Sequence, residues 1–530
     1  MSSQPARYVA PRQLLRRMLD EPNLVAAVQA LPATALGKVI DHIGLEDAGE
    51  IVALATTDQL QRIFDDDLWR SERPGKDETF DADRFALWLE IMLEAGEEFA
   101  AGKLALLPED LVTLALQKNV LVVNIEQMAV AMSSGYGDDD DQLLEKALES
   151  CLGEELDEYL IVSRKHDGWD AILSVVLALD RDHHEFLARV LDRLCTMTAE
   201  YVDEHGGLHH VLNSQEMLEA DVAAEREDRR AGEGYVAPSS AASFLALARA
   251  TALDEILRAT KPDPLTAAYF RGWKRPSAAV ASPAPKEACT EGPKVAASQS
   301  LLTILREADV LPRPATAGLL EGAGAASTGN NLFTDAMAAL RVASREAHDR
   351  RLEELAYVTQ VLVAGCTFES RAMRALEAAR AAIATISLGI DFLLEDLLQD
   401  ATAVTVIRRE SVDKLFRVGW HLLFRDIVMP AARALEQQLR TSSAPDQARA
   451  LGAAIKSGKP WSALPGVRTL DMDRGEIKTL LALSDECPTL RDLLAQTHGR
   501  TQEIAFVARC SQLQAVGDFL ATRGVQSGER

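Results

Sequence analysis

Residues 31–69, "LPATALGKVIDHIGLEDAGEIVALATTDQLQRIFDDDLW", state one apolar phrase three times at a spacing of twelve residues. Leu36, Val39, Ile40 and Ile43 form the first phrase, and Ala48, Ile51, Val52 and Ala55 the second. Leu60, Ile63 and Phe64 form the third, whose fourth position falls on Asp67. Each phrase has helical spacing but spans only two to three turns. Isolated helices that short are marginal in water and persist only by burying their apolar faces against neighbours. Gly44 sits where a C-cap glycine would end the first helix. Thr57 and Asp58 are candidate N-caps for the third. Connections of a few residues make successive helices spatial neighbours. The region therefore reads as a small stack of short helices, like a fragment of a solenoid.

The rest of the chain fits the same class. Of 530 residues 47% are hydrophobic but only 5% aromatic, so strand-forming aromatics are scarce and the balance favours helix. The expected fold is all-α, with short-helix superhelical repeats at the N-terminus followed by helical bundle domains. Four segments are expected: a short-helix repeat segment (1–72), an acidic helical domain (73–273), a disordered linker (274–299) and a C-terminal helical domain (300–523). Phe85, Trp88, Leu89 and Met92 mark an amphipathic helix, and "LPEDLVTLALQKNVLVVNIEQMAVAM" reads as one or two helices. A short extended segment is possible around Tyr159–Val162, followed by either a hairpin turn at Asp167–Gly168 or a helix start at Asp170. The linker, "KRPSAAVASPAPKEACTEGPKVAASQ", is rich in Pro, Ala and Ser and has no apolar period.

Charge is distributed unevenly. Residues 1–273 hold 51 Asp and Glu against 25 Lys and Arg, whereas residues 274–530 hold 30 against 31. An acidic first half repels nucleic acid and anionic membrane surfaces, so neither is an expected partner. It could attract a basic protein or divalent cations. No apolar run is long enough to span a bilayer, and the charged N-terminus lacks the core of a signal peptide. The six cysteines include no CxxC pair, which fits reduced, mostly buried thiols and a cytoplasmic location.

Candidate chemistry is sparse. Six of the ten histidines lie within 166–210: His166, His183, His184, His205, His209 and His210. Such clustering invites a metal reading, but no HExxH pattern is present and Gly206 and Gly207 interrupt the His205/His209 pair. Asp138–Asp141 has the charge of a calcium loop without its alternating ligands. "GAGAASTGNN" (322–331) has no Lys and no preceding strand, so it does not read as a phosphate loop. No catalytic, cofactor-binding or metal-ligating residue is assigned, and no cofactor is expected.

The phrase "IRRESVDKLFRVGWHLLFRDIV" (407–428) is the most distinctive of the second half. Leu415, Phe416, Val418, Trp420, Leu422 and Phe424 make a broad apolar surface beside Arg408, Arg409, Lys414, Arg417 and Arg425. The plain reading is a core helix with a charged rim. The sharper reading is an interaction surface comprising Arg408, Arg409, Arg417, Trp420 and Arg425, docking another subunit or the acidic first half of the chain.

The opening phrases, followed by "DADRFALWLEIMLEAGEE", resemble the start of an uncharacterised bacterial family filed as a domain of unknown function, most specifically over residues 28–98. "LFRVGWHLLFR" fits that family's helical layout. The resemblance implies no activity and no catalytic residues. The short-helix phrases are also similar, more weakly, to the cytoplasmic helical domain of magnesium transporters. Together these features predict a non-enzymatic cytoplasmic helical scaffold or regulator that binds another protein, with homo-oligomerisation possible. The alternatives are an enzyme whose site is assembled between helices and a divalent-ion-responsive regulator.

Overall fold

The twelve-residue phrases become short helices packed on one another. The structure, a computed structural model, describes residues 10–71, 73–126, 152–203, 214–272, 301–305, 310, 331–369, 371–396, 401–441, 445–457, 475–491, 493 and 505–522. The phrases fall on the helix Ala33–Ile43, a 3₁₀ turn at Leu45–Asp47 leading into Gly49–Val52, and the helix Thr57–Asp67. All eleven apolar phrase positions are buried. Gly44 ends the first helix at φ 98°, a left-handed conformation that glycine adopts without strain. The N-cap of the third helix is Thr56, one residue before the expected candidates. Its side chain accepts from Gln59 N while Gln59 Oε1 accepts from Thr56 N at 2.9 Å, a reciprocal capping box. Gln59 Nε2 also donates to the Val28 and Leu31 carbonyls, both at 2.8 Å, tying this cap to the preceding helices.

Asp67, where the apolar phrase fails, has a packing role of its own. Its carboxylate accepts from Arg84 Nε at 2.7 Å and from the Trp88 indole N–H at 2.6 Å. The third phrase is thereby fastened to the helix Ala82–Glu94, whose Phe85, Trp88, Leu89 and Met92 are buried.

The described residues fall into two compact units. The first lies within Met1–Arg70, Thr79–Arg229 and Ser277–Arg313, the second within Ser71–Glu78, Arg230–Pro276 and Pro314–Arg530. Each unit draws on stretches far apart in sequence, so this grouping differs from the linear segments expected above. The core of the first unit joins the short helices to the helices Ala82–Glu94, Glu109–Asn119 and Trp169–Asp203. The linker expected over 274–299 lies outside the described residues.

The fold is all-α, and its strands are few and short. "LPEDLVTLALQKNVLVVNIEQMAVAM" is not helical throughout: Glu109–Asn119 is a helix, but Val120–Asn124 is a strand. Its β-branched run pairs antiparallel with Tyr159–Ser163, which pairs on its other edge with Gly153–Leu156. The turn between the last two strands is Asp157–Glu158, with Asp157 at φ 52°. Gly168 is therefore not a hairpin turn; it precedes the helix that starts at Trp169, where an added Cβ would come within 2.7 Å of Ala86 Cβ.

In the second unit two long segments cross very closely. The helix Ala375–Asp396 packs on Val412–Leu423 through Gly389 and Gly419. A Cβ on Gly389 would collide with the Leu415 carbonyl oxygen, and one on Gly419 with the Thr385 carbonyl oxygen. The helix Val412–Leu423 continues through a π turn, Phe424–Val428, into Met429–Thr441. Pro430 follows that turn; a proline has no N–H for an α-type bond and crowds the carbonyl four residues back.

Gly419→Ala is expected to lower stability by about 1–3 kcal/mol, the usual cost of forcing extra volume between packed elements. Gly517→Ala, on the helix Cys510–Ala521 with open space around the added Cβ, is expected to be neutral or to stabilise by up to about 1 kcal/mol. Urea denaturation midpoints of the two variants check this contrast.

Candidate functional site

The close crossing fixes one face of Val412–Leu423 against the core and leaves the other on a polar cleft. Val412, Leu415, Phe416, Val418 and Leu422 are buried in the core of the second unit. Asp413 and Arg417, one helical turn apart and so on the same side, line a cleft of about 640 Å³. The remaining walls come from the helix Arg345–Gly365, from the junction Arg409–Ser411, and from Leu257–Pro262 with Thr266 and Phe270. Seven cationic and three acidic side chains line it.

Some of these charges are already committed. Arg351 donates through Nε to the Ile407 carbonyl at 2.7 Å and through Nη1 to both Glu354 oxygens at 2.5 and 2.7 Å. Glu354 also accepts from Val412 N at 2.8 Å, covering a backbone donor at the first turn of that helix. Lys414 Nζ donates to the Leu257 and Ala259 carbonyls at 2.9 and 3.0 Å and pairs with Glu410 at 2.9 Å. These contacts make the walls. Behind the lining residue Thr266, Asp263 accepts from Leu265 N and from the Thr266 hydroxyl, which lies 3.4 Å from the Tyr357 hydroxyl.

Arg417 differs from Arg351 and Lys414. Its residue is only 9% exposed, it lines the cleft, and no hydrogen bond or ion pair joins it to any described residue. Its electrostatic neighbour is Asp413. Burial pushes the Asp413 carboxyl above its ordinary range; Asp263 pushes it further, while the Ser411 hydroxyl and Arg417 pull it back. Burial likewise raises Glu354, against the opposing pull of Arg351 and Val412 N. The cleft thus holds a buried guanidinium beside a carboxyl group that resists ionising. Lys261 and Arg350, both exposed at the rim, also have no hydrogen-bond or ion-pair partner among the described residues.

The structure divides the five surface residues expected from sequence. Arg409 and Arg417 meet on the cleft, where Arg409 lies 3.5 Å from Glu410. Arg408 is exposed at the end of the helix Ala403–Arg409. Arg425 forms a two-pronged pair with Asp426 at 2.7 and 2.8 Å. Trp420 is 3% exposed and stacks on Phe416 at 5.5 Å, so it belongs to the core and not to an accessible surface. The apolar stripe of 407–428 is covered by the protein's own helices because burial is what stabilises it. Sequence reasoning missed Arg258, Lys261, Arg350, Glu354 and Asp413 as companions of Arg417. They come from separated stretches, and the only local signal was the four-residue spacing of Asp413 and Arg417.

Of the histidine-rich region, His205, His209 and His210 lie outside the described residues, as does the Asp138–Asp141 run. His184 Nδ1 is 2.8 Å from Asp180 Oδ1, a contact that raises the histidine's pKa, and Asp157 is close enough for the three to offer ligand atoms to one ion. Asp391, Glu395 and Cys510 form a second such group, but Asp391 already binds Arg509 Nη1 and Cys510 N, both at 2.8 Å. The four described cysteines, Cys195, Cys366, Cys487 and Cys510, are buried thiols. Among the described residues no helix is long and apolar enough to cross a membrane.

Comparison with known proteins places similarity in the first part of the chain only. Residues 6–205 match the model of a family of unknown function (DUF6178). That span contains residues 28–98, where the resemblance was expected to be most specific, and stops short of the phrase "LFRVGWHLLFR" that was also expected to fit the family. No curated protein and no solved structure matches the chain. The expected similarity to magnesium transporters finds no support in these comparisons. The cleft, at residues 257–417, lies wholly beyond the matched span.

A raised carboxyl pKa has a defined sign in the stability. The folded state holds the proton on Asp413 above 3.8, the ordinary value at which the unfolded chain releases it. The stability from this group is therefore complete below 3.8 and is lost as pH rises through the folded-state value. Asp413→Asn is expected to raise the melting temperature relative to wild type at pH 8 and to change it little at pH 3.5. Melting curves across that range check the sign.

Proposed function

We propose that this protein is a helical binding protein whose second unit captures an anionic group in the Arg417 cleft. The observation that carries this reading is Arg417, a residue only 9% exposed whose side chain lines the cleft and has no hydrogen bond or ion pair to any described residue. A largely buried arginine whose neighbouring carboxyl resists ionising is poorly compensated, and a bound anion would supply the missing acceptor. The fork of an arginine suits the two-pronged recognition of carboxylate or phosphate oxygens. The volume, about 640 Å³, is in the range of small-molecule sites. The cationic rim adds attraction for an anion despite the chain's net charge of −25. Docking of a protein partner through Trp420 has lost its motive, because that side chain is already packed.

One observation favours a second reading, an enzyme with its site assembled between helices. Asp413 and Glu354, both raised in pKa by burial, line the same cleft as Arg417, so carboxyl groups that resist ionising sit beside the anion position. The order of tests is the same for both readings, since binding precedes chemistry.

Small anions are expected to raise the melting temperature of the full-length protein in a dose-dependent way. Arg417→Met is expected to weaken the binding by roughly ten- to hundredfold, the worth of about 1.5–3 kcal/mol for a hydrogen bond to a charged group. Calorimetric titration of wild type and variant measures this. An unaltered affinity in Arg417→Met would exclude the cleft as the site.

A further inference from the structure

We infer that the anion taken by the cleft is a phosphate monoester on a small organic body, an inference that rests on the anion-binding reading above. The first argument is charge. Arg417, Lys261 and Arg350 have no partner among the described residues, whereas Arg351 and Lys414 are held by Glu354, Glu410 and backbone carbonyls. Arg258 and Arg409 are also on the rim, but their carboxylate contacts are exposed and worth little. A monocarboxylate would neutralise one of the three uncommitted cations and leave the others repelling one another. A phosphate monoester carries close to two negative charges at neutral pH and three acceptor oxygens, enough to engage the deep guanidinium and the two rim cations together.

The second argument is volume and lining. A cleft of about 640 Å³ far exceeds the space one phosphate group needs, so the anion must be attached to something. Leu257, Pro262 and Phe270 supply an apolar section of wall. Phe270 is held edge-on to Tyr269 at 5.1 Å and lies 5.6 Å from Tyr357, so its ring is set in place by neighbours. An organic body packs against that wall while its phosphate reaches Arg417. The adjacent Asp413 does not repel the phosphate while it holds its proton, and in that state its hydroxyl can donate to a phosphate oxygen.

The test is calorimetric titration of the full-length protein with pyrophosphate, phenyl phosphate and tricarballylate as probes. Phenyl phosphate and pyrophosphate are expected to bind at least tenfold more tightly than tricarballylate. Arg417→Met is expected to weaken both phosphates at least tenfold, and Arg417→Lys, which keeps the charge and loses the fork, by less. Arg449→Met, an exposed substitution away from the cleft, is expected to leave all affinities unchanged. Phe270→Ala is expected to weaken phenyl phosphate while sparing pyrophosphate, with circular dichroism showing that the variant keeps its helix content. Tighter binding of tricarballylate than of either phosphate would overturn the phosphate inference and leave the anion-binding reading standing. Binding of none of the three probes would overturn both. Sedimentation with vesicles containing phosphatidic acid separates a lipid headgroup from a soluble ester. Arg417-dependent pelleting, with no response to phenyl phosphate, would overturn the small-molecule assignment.

Discussion

The crossing of Ala375–Asp396 and Val412–Leu423 at Gly389 and Gly419 is the constraint on which the second unit depends. Each glycine lies against a carbonyl oxygen of the other helix, leaving no room for a side chain on either. Backbones that approach so closely fix the rotation of Val412–Leu423 about its axis. Rotation decides which residues face the core and which face the cleft. With Leu415, Phe416, Val418 and Leu422 turned inward, Asp413 and Arg417 are placed on the polar wall. The cleft is thus a consequence of core packing.

The electrostatics follow from that placement. In water an arginine costs nothing to keep charged. In the cleft the arginine residue is nine-tenths buried, and its electrostatic neighbour Asp413 is a carboxyl that resists ionising. Arg351 and Lys414 show the usual solution, in which a carboxylate or several carbonyl oxygens satisfy each buried cation. The contrast within one cleft gives Arg417 its significance. Cations without partners are expected where a ligand supplies the missing acceptor.

Much of the first unit was legible from sequence because its signal is local. Leu36, Ile51, Ile63 and their neighbours are buried as the twelve-residue spacing requires. The misses were also local in origin. Thr56 and Gln59 carry the capping-box pattern one residue upstream of the chosen caps, and "VLVV" was assigned to a helix although β-branched residues favour strands. Asp67 looked like a failed apolar position and is a clamp on Arg84 and Trp88, which no periodicity indicates. The cleft was hardly legible at all. Arg258, Arg350 and Arg417 come together only through tertiary packing, and the broad apolar stripe of 407–428 placed Arg417 on one surface with Trp420, which is buried in the core. A stripe that reads as a docking surface in one dimension is a core face once the other helices are present.

The position at which an electron-dense oxyanion binds tests the role of Arg417 most directly. Crystals soaked in tungstate should give an anomalous peak at hydrogen-bond distance from the Arg417 guanidinium, inside the cleft and in contact with Lys261 or Arg350. A fully occupied peak elsewhere with the cleft empty, or an Arg417 guanidinium closed onto a carboxylate of the protein, would contradict it.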